Sequence, residues 1–360
     1  MKTGQKGKEM YRGIESLVNQ AHDENASDIH LVAGYPPRCR IDGRLVNMDN
    51  ALLLAEDCER YARDIAGEKI EHMKVSGEAD SALTINNIRC RANVFRAQGA
   101  ASVALRLLSD RIPDIGSLGL PGKVREFSLM KQGIVLVTGE TGSGKSTTLA
   151  AVLNEINNTR NDHIITLEDP IEYVYGPARC IVNQREVGRD TESYEAALRA
   201  VLREDPDVIL IGEMRDQASI ETALTAAETG HLVFSTLHTK SAAESIDRIV
   251  GNADSSRAAQ IRNQLSTTLN AVLSQQLLPK KGGGRVPACE LMIVTPAIRN
   301  LIREAKTPQI AGSIATGSEY GSITMDNSIL KLYRQGLISN TTAIEAASDR
   351  KYVEKALHEI

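Results

Sequence analysis

The sequence predicts an α/β domain built on a parallel sheet, preceded by a smaller α+β domain, and three observations carry that prediction. First, the apolar runs at 134–137, 164–167, 208–211 and 232–234 are continuous rather than alternating, as strands buried on both faces are. Second, the first of them feeds Gly139-Glu140-Thr141-Gly142-Ser143-Gly144-Lys145-Ser146-Thr147, which fits the phosphate-loop pattern G-x-x-x-x-G-K-[ST]. Third, Pro113, Gly116, Gly119, Pro121 and Gly122 crowd one short segment, a composition shift that suits a linker. The boundary falls near residue 115, giving domains 1–115 and 116–360.

Length and composition agree with two soluble domains. The chain has 360 residues, 42% hydrophobic and 24% charged, and no window holds 18 uninterrupted apolar residues. Its basic start, Met1 to Lys8, is not followed by an apolar stretch of the kind a secretory signal needs, so a cytoplasmic protein is expected. Cys39, Cys58, Cys90, Cys180 and Cys289 form no C-x-x-C pair, which argues for inert thiols rather than zinc or disulfides. A net charge of −4 with three Phe and no Trp gives no general nucleic-acid footprint, and no nucleic-acid partner is expected.

In chain order, Ile14, Leu17 and Val18 recur at helical spacing within 10–24. Residues 28–32 and 38–42 read as strands, separated by Gly34 and Pro36-Pro37 and closed by an Asp42-Gly43 turn. A helical pattern runs from 55 to about 75. Strands return at 82–85, 88–96 and 102–107, around turns at Asn86-Asn87 and Gln98-Gly99. In the phosphate loop, glycines at 139, 142 and 144 let backbone N–H groups approach a polyphosphate that side chains would otherwise block. Lys145 would reach the β- and γ-phosphates, Ser146 is placed to ligate Mg²⁺, and 147–156 reads as a helix whose N-terminus points partial positive charge at the phosphates.

Each of the four apolar runs ends on polar groups: the phosphate loop, Glu168-Asp169 with Glu172 close behind, Glu213, and a tail reaching His238. Ligands of open α/β sheets bind outside the carboxyl ends of the strands, so these groups are expected to converge. Glu213, after a hydrophobic strand, is the first choice for activating water. Pro170 should stop its strand abruptly. His231 and His238 are seven residues apart, an odd offset that turns them to opposite faces of a regular strand, so His238 at the carboxyl end is favoured. Lys280-Lys281-Gly282-Gly283-Gly284-Arg285 lacks the strand and helix of a phosphate loop and reads as a hairpin turn. After Thr295-Pro296, the helical stretch Ala297-Ile298-Arg299-Asn300-Leu301-Ile302-Arg303-Glu304 carries an apolar stripe of Ile298, Leu301 and Ile302, either packed on the core or offered to a partner.

With these boxes aligned, the chain resembles the PilT family of type IV pilus retraction ATPases, within the secretion ATPases. The resemblance runs nearly end to end, from Ala26-Ser27-Asp28-Ile29-His30-Leu31 through the phosphate loop, Glu168-Asp169-Pro170-Ile171-Glu172 and Gly212-Glu213-Met214-Arg215-Asp216 to Thr229-Gly230-His231 and Leu237-His238-Thr239. The stretch 297–304 is narrower and marks the retraction branch. Glu140 departs from the family, which usually has Pro there, and the first ten residues have no clear counterpart.

The resemblance implies a homohexamer of RecA-like motor domains with PAS-like N-terminal domains. It also implies ATP and Mg²⁺ as cofactors and twitching motility as the output. Lys145, Ser146, Glu168, Glu213 and His238 would carry the catalytic duties. Arg89, Arg91, Arg96 and Arg106 are candidates to complete the site from the N-terminal domain, and Arg89 and Arg91 share one strand face by period two. The helix 297–304 would couple nucleotide state to the pilus machinery. The implied setting is the cytoplasmic face of the inner membrane, reached through partners such as a membrane platform protein. A type IV secretion traffic ATPase and a nucleic-acid translocase share the phosphate loop and core and stand as alternatives.

Overall fold

The structure, a computed structural model, describes residues 12–41, 43–108, 111–251 and 256–359, without the side chains of Glu68, His72 and Lys74. Met10 and Asp42, expected in the first helix and in a turn, lie outside the described residues. The chain divides into two compact units, Met1–Arg111 and Ile112–Ile360.

The first unit is a six-stranded antiparallel sheet. Its strands are β1 (Asp28–Val32), β2 (Arg38–Ile41), β3 (Arg44–Asn47), β4 (Glu78–Ile85), β5 (Ile88–Ala97) and β6 (Ala100–Leu107), in the spatial order β3-β2-β1-β6-β5-β4. One face is covered by α1 (Ile14–Asp23) and α2 (Ala55–Ala66), which bury Leu17, Val18, Cys58 and Tyr61 against Cys90, Ala92 and Val94. Period-two alternation along β5 sends its even-numbered residues to that core and Arg89 and Arg91 to the other face.

Two sequence expectations change here. The single helix over 55–75 is broken: Gly67, at φ 53°, ends α2 and a 3₁₀ turn leads into α3 (Ile70–Ser76). The edge strand β3 was not expected, because all four of its residues are exposed and no buried face patterns them.

The second unit begins with two 3₁₀ segments, Ile115–Leu118 and Gly122–Leu129, where the proline and glycine cluster suggested a plain linker. Phe127 and Val124 anchor the second of them in the core. The sheet has seven strands: β7 (Gly133–Thr138), β8 (His163–Glu168), β9 (Ile181–Glu186), β10 (Val208–Ile211), β11 (Leu232–Leu237), β12 (Leu269–Pro279) and β13 (Arg285–Ile293). The spatial order is β13-β12-β7-β11-β10-β8-β9, with every pair parallel except β12 with β13. The four predicted strands are therefore the contiguous centre of the sheet, and all residues of β7, β10 and β11 are buried.

Helices cover both faces. On one side lies α4 (Lys145–Thr159), whose Leu149, Val152, Leu153 and Ile156 pack on Val135, Val137, Phe234 and Leu273. Burying each of those four side chains contributes roughly 1.5–3 kcal/mol. On the other side lie α5 (Tyr194–Val201), α6 (Gln217–Glu228), α7 (Ala242–Gly251), α8 (Ala258–Thr268), α9 (Pro296–Arg303) and α10 (Ile310–Thr316), around a core with Ile134, Leu136, Ile209 and Val233. The last helices, α11 (Met325–Arg334), α12 (Asn340–Ala346) and α13 (Arg350–His358), pack on the outer part of the β12–β13 hairpin, with Leu278, Val286, Ile329 and Val353 in their core. The stretch 280–284 is the turn of that hairpin, and Gly282, Gly283 and Gly284 all have positive φ.

The five cysteines are buried and free. Burial pushes the thiols of Cys90 and Cys289 up to about 12, so neither is a thiolate near neutrality. No described helix is long and apolar enough to cross a membrane.

Candidate active site

Parallel register brings the expected groups to one level of the sheet. Thr138 lies opposite Leu237, Ile211 opposite both Ser235 and Leu167, so the segments starting at Gly139, Glu168, Gly212 and His238 leave the same edge side by side. The phosphate loop occupies the β7 exit. Gly139, Gly142 and Gly144 have φ of 142°, 80° and 94°, a backbone course that other residues adopt only with strain. At Gly139 space is also lacking: a Cβ would stand 2.3 Å from the Gln275 carbonyl oxygen and 2.5 Å from Ser143 Oγ.

Thr141 and Gly142 are exposed, Gly144 ends the loop, and α4 starts at Lys145. The buried Lys145 ammonium donates to the loop's own carbonyls, Gly139 O at 2.8 Å and Glu140 O at 3.0 Å. Burial lowers its pKa, while the charges of Glu213 and Glu172 act in the opposite sense. Those two carboxylates are therefore the acidic groups that Lys145 feels. Glu140, the residue that departs from the family pattern, turns its side chain to solvent and pairs with Lys240 at 3.0 Å.

The next two residues reach across to the segment after β8. Ser146 Oγ donates to Glu172 Oε1 at 2.9 Å, and Thr147 Oγ1 shares a 2.9 Å hydrogen bond with Tyr173 Oη. Pro170 does follow the end of β8, which stops at Glu168. Glu168 sits elsewhere than expected: its Oε1 accepts from Thr166 Oγ1 at 2.6 Å and Gln184 Nε2 at 3.3 Å, inside the β8–β9 edge. Burial raises its pKa, with those two hydrogen bonds opposing. Glu172, not Glu168, is the acidic residue that touches the phosphate loop. Glu172 was legible as one of the polar groups expected to converge, but its contact with Ser146 was not.

Glu213 leaves β10 with three neighbours. Arg215 Nε lies 2.7 Å from its Oε2, His238 Nε2 lies 3.5 Å from its Oε1, and its backbone N–H donates to Tyr194 Oη at 3.3 Å. Tyr194 Oη also donates to Leu167 O at 3.5 Å, tying the ends of β8 and β10 together, and burial holds that phenol well above its usual range. Sequence reading placed Arg215 only within a motif and missed Tyr173 and Tyr194; an aromatic one helix away from the strand it braces leaves no local signal. His231 Nδ1 bonds Ala226 O at 2.8 Å, at the amino end of β11, whereas His238 follows its carboxyl end beside Glu213.

In the first unit, register sets Arg91 opposite Arg106 and Arg106 opposite Asp28, so these residues share a face. Arg106 Nε is bound to Asp28 at 3.0 Å. Arg96 points to the helix-covered face and pairs with Glu59 of α2 at 3.0 Å. Arg91 is exposed and has no ion pair among the described residues. Arg89 is half-buried beside it on the same face.

In α9, Ile298 and Ile302 are buried in the core and Leu301 is half-buried against it. Arg299 Nη1 donates to Ser266 O and Thr267 O, both at 2.8 Å, closing the end of α8. The apolar stripe is thus spent on packing. Ala297, Asn300, Arg303 and Glu304 remain exposed.

The family model for type II/IV secretion system protein matches residues 5–344. The chain belongs to the type II/IV secretion system protein family. Among relatives in that family, the type IV pilus retraction ATPase PilT of Pseudomonas aeruginosa is 46% identical over 336 residues, covering 93% of this chain and 98% of PilT. A twitching motility protein of Neisseria gonorrhoeae is 41% identical over 341 residues, covering 93% of this chain and 91% of the relative. A crystal structure of the pilus retraction motor PilT with bound ADP superposes with a TM-score of 0.89 at 48% identity, covering 96% of this chain and 99% of that one. The RecA-like motor fold with a smaller N-terminal domain is therefore the secretion ATPase architecture.

Proposed function

We propose that this secretion-family chain is an ATP-hydrolysing motor that acts as a hexamer and drives type IV pilus retraction, working with a membrane platform protein at the cytoplasmic face. The observation that carries the reading is the convergence at one sheet edge of Lys145 in its glycine loop, the Ser146–Glu172 pair, and Glu213 flanked by Arg215 and His238.

The residues fit a nucleoside triphosphate with Mg²⁺. The Gly139 cradle is one a Cβ would fill, and Lys145 Nζ now contacts only neutral carbonyls, which a polyphosphate would outcompete. Ser146 Oγ and Glu172 supply hard oxygen donors, in keeping with a metal held mainly by nucleotide and water. Among the described residues no cluster of three or more His, Cys, Asp or Glu could hold a metal by itself. Ser146 Oγ and Glu172 would hold Mg²⁺, which would supply positive charge against the charge developing on the phosphates.

The protein's part then divides by residue. Lys145 holds the terminal phosphates, and the N–H groups at the start of α4 face them. Glu213 Oε1 orients the attacking water and accepts its proton, while Arg215 on Oε2 keeps the carboxylate turned that way. His238 Nε2, 3.5 Å from the same Oε1, helps hold that oxygen in place.

In this reading one of the candidates Arg89, Arg91, Arg96 and Arg106 supplies the transition-state cation from a neighbouring subunit; Arg91 has the least to give up in doing so, and Arg96, on the other face and paired with Glu59, has the weakest claim. A residue that acts only in an assembled ring makes activity depend on assembly. Specific ATPase activity should therefore rise steeply with protein concentration as hexamers form, measured alongside sedimentation, and Arg91→Ala should flatten the rise. Activity per subunit that stays constant from monomer to hexamer rules the arrangement out.

The retraction reading itself is tested in cells. A deletion strain should make pili that do not retract, and the wild-type gene should restore twitching. Arg303→Glu, on the exposed side of α9, should leave ATPase activity within about twofold, as surface changes away from packed groups do, yet fail to restore motility. Full rescue by Arg303→Glu would remove α9 from the coupling path, and a deletion strain with normal twitching would remove retraction from the function. A secretion traffic ATPase would leave twitching intact in the same strain.

A further inference from the structure

Behind the phosphate loop, two buried polar side chains have no partner: Ser143 Oγ and Gln275 Oε1, in residues 5% and 4% exposed. Gln275 belongs to β12, away in sequence from every motif of the site. Alternation along β12 sends Ala271 and Leu273 into the core shared with α4, and two residues beyond Gln275, Leu277 lies against Gly144. Gln275 therefore points to the same side, beneath the loop and the first turn of α4. Its main chain confirms the proximity. Gly139 is pressed between the Gln275 carbonyl oxygen and Ser143 Oγ, with room for no side chain.

A buried carboxamide oxygen without its hydrogen bond keeps its full desolvation penalty, so a place for Gln275 in the apolar run of β12 points to a state in which the bond is made. In the present state Lys145 binds the loop's carbonyls, which draws the loop in on itself. A polyphosphate would take over that ammonium and let the loop settle around it. We infer that Gln275 is a positioning residue for the phosphate loop: in the nucleotide-bound state Ser143 Oγ donates its proton to Gln275 Oε1 and fixes the loop in its phosphate-holding course. Both oxygens are satisfied in one step, and β12 becomes sensitive to whether the site is filled. This inference rests on the nucleotide reading above.

The test uses the full-length protein and titration with ADP, followed by calorimetry. Gln275→Leu keeps the volume and removes the acceptor, and Ser143→Ala removes the donor. Each should weaken ADP binding about tenfold. The double variant should be no weaker than the worse single one, because both remove the same bond, and Ser143→Thr, which retains the hydroxyl, should bind within about twofold of wild type. Multiplying losses in the double variant, or wild-type affinity in Gln275→Leu, overturns the inference. A packing defect would not be rescued by the hydroxyl of Ser143→Thr. Should Gln275→Leu not fold, Ser143→Ala alone decides, and unchanged ADP affinity counts against the bond. Wild-type protein that binds no ADP would instead overturn the nucleotide reading.

Discussion

Lys145→Ala should abolish measurable ATP hydrolysis, with phosphate release falling by at least about 10²–10³-fold, the scale on which a charged stabiliser of developing phosphate charge acts. The ammonium is the only side-chain cation that the phosphate loop itself supplies, and it is already inside the loop, 2.8 Å from Gly139 O and 3.0 Å from Glu140 O. It needs only to exchange carbonyls for phosphate oxygens. Burial lowers its pKa while the charges of Glu213 and Glu172 act in the opposite sense, and its replacement by alanine leaves those two carboxylates facing an incoming anion. ADP affinity should therefore fall as well as turnover. Circular dichroism should show a folded protein, since the two carbonyls that lose their donor both belong to the loop, one of them in exposed Glu140, and the sheet and α4 keep their own contacts. Normal phosphate release from this variant would remove the phosphate-loop assignment, and with it the motor.

What could be read in the sequence follows from where the physical constraints are local. β7, β8, β10 and β11 are buried on both faces, so each leaves a continuous apolar run, and the phosphate loop needs glycine at fixed spacing. The convergence of their carboxyl ends followed from the parallel class alone. The rest depends on contacts between residues far apart in the chain. Nothing near Ser146 shows that Glu172, 26 positions on, will accept its proton rather than Glu168. Glu168 looked equivalent in the acidic box, but its hydrogen bonds run to Thr166 and to Gln184 of the neighbouring strand, which fixes it to the sheet edge. The α9 stripe left two readings open: periodicity gave the apolar face, yet a face of Ile298 and Ile302 is equally suited to a partner and to the chain's own core. The burial of both side chains in the core beside Ile261 and Leu265 of α8 separates the two.

Glu213→Gln separates binding from chemistry more sharply than any other change. The amide keeps the shape of the side chain and an oxygen where Oε1 stands, so the nucleotide should bind with an affinity within about threefold of wild type, while the proton acceptor is gone and hydrolysis should fall about 10²–10⁴-fold. Two features of the site make this outcome specific. The loop that holds the phosphates takes its contacts from Lys145, Ser146 and backbone N–H groups, none of which is hydrogen-bonded to Glu213. The backbone of Glu213 is fixed independently of its carboxylate, through the N–H to Tyr194 Oη, so the variant should keep its course at the end of β10. Arg215 loses a charged partner at 2.7 Å, but its side chain is 68% exposed and water can replace the pair at little cost. A protein that binds ATP and hexamerises but scarcely releases phosphate is the expected product. Loss of ATP binding in Glu213→Gln would mean that the carboxylate holds the metal or the fold rather than the water, and undiminished turnover would transfer the base to Glu172, the other carboxylate whose charge reaches Lys145.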